Sequence, residues 1–188
     1  MNLIGLVCSP RKEGNTEILI TQALNSAEES GAQTEMLRVA DLDIAPCDAC
    51  AACASDGICI VEDDMQTVYE KLDWADGIIF GTPVYFFNVS AQAKAVIDRT
   101  YACLMKGKLK DKVAAAIVAA RRVGAGQVLA LMYTYFTAQR MIIAGGGIGY
   151  GREKGEVKDG PGMSPYFSAL EEAGAIGRGV VKRIKRIS

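Results

Sequence analysis

The sequence predicts a three-layer α/β fold, in which helices cover both faces of a doubly wound sheet of five parallel strands. Short, continuous apolar runs recur along the 188 residues, as expected for parallel strands that are buried on both faces. Between them lie longer segments whose apolar residues recur at helical spacing. Strands that alternate with helices in this way form a parallel sheet.

Five segments are expected to form the strands, and the third and fourth are apolar almost throughout. In chain order they are Leu3–Val7, Thr34–Val39, Gly77–Gly81, Lys112–Ala120 and Met141–Ala144. The glycine-rich stretch Gly145–Gly151 is expected to be a flexible connection that leads into a polar segment at 152–160.

Five helices are expected between and after these strands. They run from the first loop to about Ala27, from Asp63 to about Trp74, from Ala91 to about Cys103, up to about Ala138, and from about Pro165 to Gly174. The segment Leu129–Phe136 is apolar on most sides. That pattern fits burial by a partner subunit and equally fits an internal core helix.

Composition indicates one soluble, globular unit. Half of the residues are apolar and 23% are charged, so one domain over residues 1–188 is expected. The net charge of −1 disfavours nucleic acid as a partner, and no apolar run is long enough for a signal peptide or a membrane span. We therefore expect a cytoplasmic protein, in which thiols stay reduced. Four residues near the C-terminus are interpreted as solvated charges on a helix or strand: Lys182, Arg183, Lys185 and Arg186.

The chain contains no histidine. This excludes Ser-His-Asp hydrolases, histidine-based zinc hydrolases and iron sites built from two histidines and a carboxylate. Chemistry near neutral pH must therefore come from a cofactor or from other side chains with perturbed pKa values.

The loop after the first strand has the groups that bind a phosphate. Hydroxyl, amide and cationic side chains stand where a helix begins, and they are Ser9, Arg11, Lys12, Asn15 and Thr16. The loop lacks both the Walker pattern and the dinucleotide-binding glycine pattern, which disfavours an ATPase or an ordinary Rossmann dehydrogenase. An ordinary turn capped by Asn or Thr would look similar.

Two further loops have features of a ligand site. The loop after the third strand carries large aromatic residues, and its candidate ligand contacts are Thr82, Pro83, Val84, Tyr85, Phe86 and Asn88. Such residues suit a planar ligand, although packing in a loop or a subunit interface would also account for them. The loop after the fourth strand offers Arg122, Gly124 and Gly126. Because the carboxyl ends of parallel strands share one edge, the three loops together predict an FMN site in a flavodoxin-like sheet.

Four of the six cysteines occur in one short run with the spacing C-x2-C-x2-C-x5-C, within a loop at about 46–60. Cys47, Cys50, Cys53 and Cys59 are candidate ligands of a 4Fe-4S cluster, since tight C-x2-C-x2-C runs supply three thiolates from one loop. Zinc, disulfides and redox-active thiols are the alternatives. The remaining cysteines, Cys8 and Cys103, are interpreted as small buried hydrophobic residues.

These residues resemble those of the iron–sulfur flavoproteins within the NAD(P)H-dependent FMN reductase group. The resemblance rests on Ser9–Lys12 with Gly14–Thr16, on Gly81–Phe86 with Ser90–Lys94 and Asp98-Arg99, and on the cysteine run between Pro46 and Asp63. It implies a flavodoxin-like homodimer or homotetramer with FMN in each subunit and a 4Fe-4S cluster near a flavin. It also implies electron transfer from a ferredoxin-like donor to oxygen or peroxide.

Three functions are compatible with these features of the sequence. The first is an oxidoreductase that passes electrons between the cluster and FMN, with oxygen, peroxide or quinone as acceptor. The second is an NAD(P)H-dependent FMN or quinone reductase whose cysteines are structural or bind zinc. The third is a flavin- or metal-binding regulatory module without turnover. In the first two the flavin carries the chemistry, and no catalytic side chain is assigned.

Overall fold

The structure is a computed structural model that describes residues 1–164 and 166–187. Five parallel strands form one sheet in the order β2-β1-β3-β4-β5. The strands are β1 (Asn2–Val7), β2 (Gln33–Arg38), β3 (Gly77–Pro83), β4 (Val113–Ala120) and β5 (Ile142–Tyr150). This is the flavodoxin-like order, in which ligands bind where the order reverses, between β1 and β3. The predicted fold class is confirmed.

Helices cover both faces of the sheet. They are α1 (Asn15–Glu29), α2 (Met65–Trp74), α3 (Ala91–Arg99), α4 (Tyr101–Lys106), α5 (Ala125–Ala138) and α6 (Ala169–Ile187). One apolar core lies between the sheet and α1 with α6. The other lies between the sheet and the face formed by α2, α3 and α5. In the described part of the chain, none of the helices has the length and apolar character that crossing a membrane requires.

The prediction that Gly145–Gly151 is a flexible connection is wrong. The strand expected to end at Ala144 continues as β5 through Tyr150. A Cβ atom on Gly149 would lie 2.6 Å from Val157 and 2.7 Å from Leu19. The glycines thus let other segments lie directly on the strand, and the chain after β5 returns to the edge where the other loops lie.

The last helix is also longer than predicted. It was expected at Pro165–Gly174, and Pro165 lies outside the described residues, but α6 continues to Ile187 and includes the basic cluster as exposed side chains. A Cβ atom on Gly177 would lie 1.9 Å from the Ala23 carbonyl oxygen. The glycines of α6 therefore allow α1 to approach closely and do not end the helix.

The helix expected from Ala91 to Cys103 is divided at Thr100 into α3 and α4. The Thr100 hydroxyl donates to the Ile97 carbonyl oxygen at 2.7 Å, and the Gln139 amide donates to the Thr100 carbonyl oxygen at 2.9 Å. Side chains that bond to the backbone in this way bend or end helices. The division leaves Arg99 at the end of α3.

Candidate functional site

The loop between β1 and α1 borders a cavity of about 180 Å³ at the carboxyl edge of the sheet. Seven of the residues predicted from the sequence line it: Ser9, Arg11, Asn15, Thr16, Pro83, Val84 and Tyr85. Helix α1 begins at Asn15 without a side-chain cap, and the N–H groups of a first helical turn have no partner within the helix. Together with Arg11, they form an anion-binding environment.

The Asn15 side chain fastens a neighbouring loop. Its amide nitrogen donates to the carbonyl oxygens of Gly151 (3.3 Å) and Glu153 (2.9 Å), and its oxygen accepts from the Gly155 N–H at 2.9 Å. The loop after β5 therefore forms part of the cavity and contributes Gly151, Arg152 and Lys154, which the sequence analysis missed. A prediction that the glycine run forms a strand would have placed these three residues at the carboxyl edge of the sheet.

An aromatic turn follows β3. Tyr85 and Asn88 exchange two backbone hydrogen bonds, of 2.9 and 3.0 Å, around Phe86 and Phe87. Both phenylalanines have positive φ angles, 47° and 67°, as the central residues of a type I′ turn require. Aromatic residues adopt this conformation rarely, and such strain is typical of ligand sites. Phe86 is 97% exposed, so the core does not account for its position.

A second cavity of about 480 Å³ lies beside this turn. Its walls combine the two phenylalanine rings with three arginines, and they include Val84, Phe86, Phe87, Arg121, Arg122, Val123 and Arg152. It adjoins the first cavity because both are lined by Val84, Arg121 and Arg152. The two cavities together can accept a planar ring joined to an anionic group.

Five of the residues predicted from the sequence line neither cavity. They are Lys12, Thr82, Asn88, Gly124 and Gly126. Thr82 is buried, and its hydroxyl oxygen accepts from the Ser90 N–H at 3.2 Å, so it shapes the aromatic turn. Gly124 has a φ of +89° and precedes α5. The Lys12 amino group lies 3.8 Å from an Asp41 carboxylate oxygen.

The four clustered cysteines line a third cavity, of about 570 Å³. The opposite wall comes from α3 and α4 and includes Ile97, Arg99 and Leu104.

All six cysteines of the chain are free thiols, and Cys8 and Cys103 are buried, as expected. Burial raises the pKa of Cys103 to about 11, which leaves it protonated and unreactive at neutral pH.

The cysteine loop has an unusual backbone. Ala49 and Ala51 have φ angles of 58° and 59°, although alanine rarely adopts the left-handed region. The Asp48 carboxylate accepts from the Cys50 N–H at 3.1 Å. These turns let thiols that are three residues apart face the same cavity.

Arg99 and Asp63 fasten this loop to α3. The two terminal nitrogens of Arg99 donate to both oxygens of the Asp63 carboxylate, at 2.7 and 3.0 Å. They also donate to the carbonyl oxygens of Ala45 (2.9 Å) and Val61 (3.2 Å), which lie on either side of the cysteine run. Burial alone would raise the pKa of Asp63, but these hydrogen bonds and those from the N–H groups of Ala45 and Met65 hold it below its usual range.

Buried polar atoms without hydrogen-bond partners also belong to residues that line this cavity. Among the described residues, three buried side-chain atoms have no hydrogen-bond partner, and two of them belong to Arg99 (Nε) and Gln139 (Oε1), which line this cavity. A buried N–H donor without an acceptor costs about 1–3 kcal/mol. A group with sulfur acceptors, such as an iron–sulfur cluster, would satisfy the Arg99 donor, so the residues present fit such a group.

The other three clustered cysteines act on Cys53. Burial first, and then the charges of Cys59, Cys47 and Cys50, raise the pKa of Cys53 above its ordinary value. In the part of the chain that the structure describes, no three His, Cys, Asp or Glu side chains converge tightly enough to hold a metal ion.

The carboxyl-edge cavities agree with what comparison with known proteins shows. The family model described as NADPH-dependent FMN reductase matches residues 1–153. The chain belongs to this family. As a member of the FMN reductase family, it is an FMN-dependent oxidoreductase, and the two carboxyl-edge cavities lie where the flavodoxin-like fold binds its ligand.

Relatives and solved structures extend this assignment. Within the family, the chain is 36% identical to an iron–sulfur flavoprotein of Methanocaldococcus jannaschii, with 100% of this chain and 99% of that protein covered. It is 38% identical to an iron–sulfur flavoprotein of Methanosarcina thermophila over 77% of this chain and 78% of that one. A WrbA-like flavodoxin of Agrobacterium tumefaciens has the same fold, with a TM-score of 0.64, 18% identity, and coverage of 100% and 98%.

Proposed function

We propose that this oxidoreductase passes electrons between FMN and a 4Fe-4S cluster held by Cys47, Cys50, Cys53 and Cys59. A ferredoxin-like protein would be the donor, and oxygen, peroxide or a quinone the acceptor. One observation carries the proposal: the four thiols line the same cavity as a buried arginine N–H that lacks an acceptor. The names of the two iron–sulfur flavoprotein relatives support it.

The cavity size favours a cluster over zinc. Zinc–sulfur bonds are about 2.3 Å, so a zinc site brings its sulfurs within about 4 Å of one another. Here four thiols line one cavity of about 570 Å³, which has room for a group larger than a single ion. Four thiolates around a larger group match the ligand set that Fe–S clusters require.

FMN, when bound, supplies one- and two-electron chemistry, and the cluster supplies one electron at a time. The first turn of α1 and Arg11 would hold the phosphate. Val84 and the ring of Phe86 would contact the flavin ring, while Arg121 and Arg122 offer positive charge at its edge. Because these cavities open to solvent and the chain lacks histidine, protons would come from water.

An NAD(P)H-dependent FMN or quinone reductase is the second candidate. The family description favours it, because it names NADPH as the reductant. The exposed arginines beside the aromatic turn would suit the phosphates of such a donor. In that case the cysteines would be structural or bind zinc. The homodimer or homotetramer expected from the sequence stays a prediction under either function.

The deciding experiment is determination of iron, sulfide, zinc and flavin, with a visible spectrum, on protein purified without oxygen. The proposal expects about four irons, four sulfides and one FMN per chain. FMN without iron, together with rapid bleaching of the flavin by NAD(P)H, would contradict the cluster and support the second candidate.

A further inference from the structure

Arg99 has one hydrogen-bond donor that the protein does not use. A guanidinium group carries five N–H donors, of which four belong to the two terminal nitrogens. All four are engaged by Ala45, Val61 and the two oxygens of Asp63. The fifth, at Nε, is buried and makes no hydrogen bond of normal geometry, although the guanidinium interacts with the Cys59 thiol. The four engaged donors fix the plane of the guanidinium, so the fifth has a fixed direction.

Cys59 is the cysteine that interacts with this guanidinium. It lies two residues before Val61, whose carbonyl oxygen Arg99 binds, and both side chains line the same cavity. Arg99 thus stands beside this thiol with one donor free of hydrogen bonds of normal geometry.

We infer that the Arg99 Nε–H donates to a cluster sulfur at the Cys59 corner and thereby raises the reduction potential of the cluster. This inference rests on the proposed function. Hydrogen bonds to the sulfurs are among the factors that set Fe–S potentials, because each donor stabilises the more negative, reduced form. Arg99 is therefore a positioning residue that fastens the loop and also tunes the metal group.

The first test compares redox titrations of the 4Fe-4S protein and its Arg99→Lys variant, followed by electron paramagnetic resonance. Lysine keeps the charge but loses the fixed Nε–H. At a fixed potential, the ratio of reduced to oxidised cluster should fall at least tenfold, which is about 59 mV for a one-electron couple. Arg178→Lys, on α6 at the opposite face, is the matched control and should change nothing. An iron-replete Arg99→Lys protein with a ratio within threefold of wild type would overturn the inference.

The second test uses wild-type protein and does not depend on how the variant folds. Protein grown with 15N-labelled arginine is reduced, and pulsed electron paramagnetic resonance is used to look for 15N coupled to the cluster spin. Arg99 is the one arginine among the described residues that lines the cavity, so a coupling identifies its hydrogen bond. A four-iron protein without this coupling overturns the inference alone. Wild-type protein that binds no iron overturns the proposed function and the inference with it.

Discussion

Asp63 accepts four hydrogen bonds, from two nitrogens of Arg99 and from the N–H groups of Ala45 and Met65. We predict that Asp63→Asn lowers the free energy of unfolding by about 3–5 kcal/mol, because it leaves a buried arginine without its counter-charge. Urea denaturation measures this. Glu35→Gln removes the half-exposed partner of Lys71 and should cost no more than about 1 kcal/mol. Equal losses in the two variants would refute this role of Asp63.

The pH dependence of stability gives a second prediction for Asp63. Its pKa in the folded state lies below the unfolded value of about 3.9, so its contribution is complete above that value and is lost as the pH falls through the folded pKa. The stability difference between wild type and Asp63→Asn should therefore be constant near neutrality and shrink below about pH 4. Denaturation curves from pH 7 to pH 3 test this, and a difference that grows on acidification would contradict it.

At the scale of elements, the aromatic turn holds Phe86 in a strained backbone conformation. Phe86 has a φ of 47° and is 97% exposed, so its ring contributes little to the core. Asparagine tolerates this conformation. We predict that Phe86→Asn raises the free energy of unfolding of the apoprotein by about 1 kcal/mol while it weakens FMN binding.

A control variant separates strain from ring contact. Phe86→Leu keeps a strained residue but removes the ring, so it should weaken FMN binding with stability near that of wild type. Thermal unfolding and fluorescence titration with FMN measure the two effects. If Phe86→Asn binds FMN as wild type does, the turn does not contact the flavin.

Two glycines in α6 should respond in opposite ways to alanine. In Gly177→Ala the new Cβ would meet the Ala23 carbonyl oxygen at 1.9 Å, so α1 and α6 must separate, at a cost of about 1–3 kcal/mol or more. Gly179 has no atom within 4 Å of its Cβ position, and Gly179→Ala should stabilise the helix by about 1 kcal/mol. Urea denaturation of both variants gives the sign directly. Two changes of the same sign would contradict this packing.

The sequence was sufficient where local pattern decides structure. Apolar runs identified β1 and β4, because a strand buried on both faces needs apolar residues throughout. It failed at β5 and α6. The glycines there were interpreted as breaks, but they allow distant segments of the chain to pack closely on these elements. Arg99 entered the resemblance only as part of the helix that follows the aromatic loop, and nothing in the sequence indicated that it would lie at the cysteine cavity. That position depends on the division of the helix at Thr100, which involves Gln139 from a distant element.

At the scale of the whole molecule, α3 links the two regions. It begins beside the aromatic turn, where the Ser90 hydroxyl donates to the Cys8 carbonyl oxygen, and it ends with Arg99 at the cysteine cavity. Nine helical residues span about 13 Å. The carboxyl-edge cavities and the cysteine cavity share no lining residue. Helix α3 therefore separates the two regions within the chain.

This separation predicts that the two sites load independently. Cys50→Ser should lose most of the iron while its dissociation constant for FMN stays within twofold of wild type. Arg11→Ala should retain the iron but bind FMN about tenfold more weakly, because a charged hydrogen bond to phosphate contributes about 1.5–3 kcal/mol. Iron analysis and FMN titration of both anaerobically prepared variants test this. Loss of FMN affinity in Cys50→Ser would show that the cysteine loop supports the flavin site, and the two cavities would then have to be treated as one coupled centre.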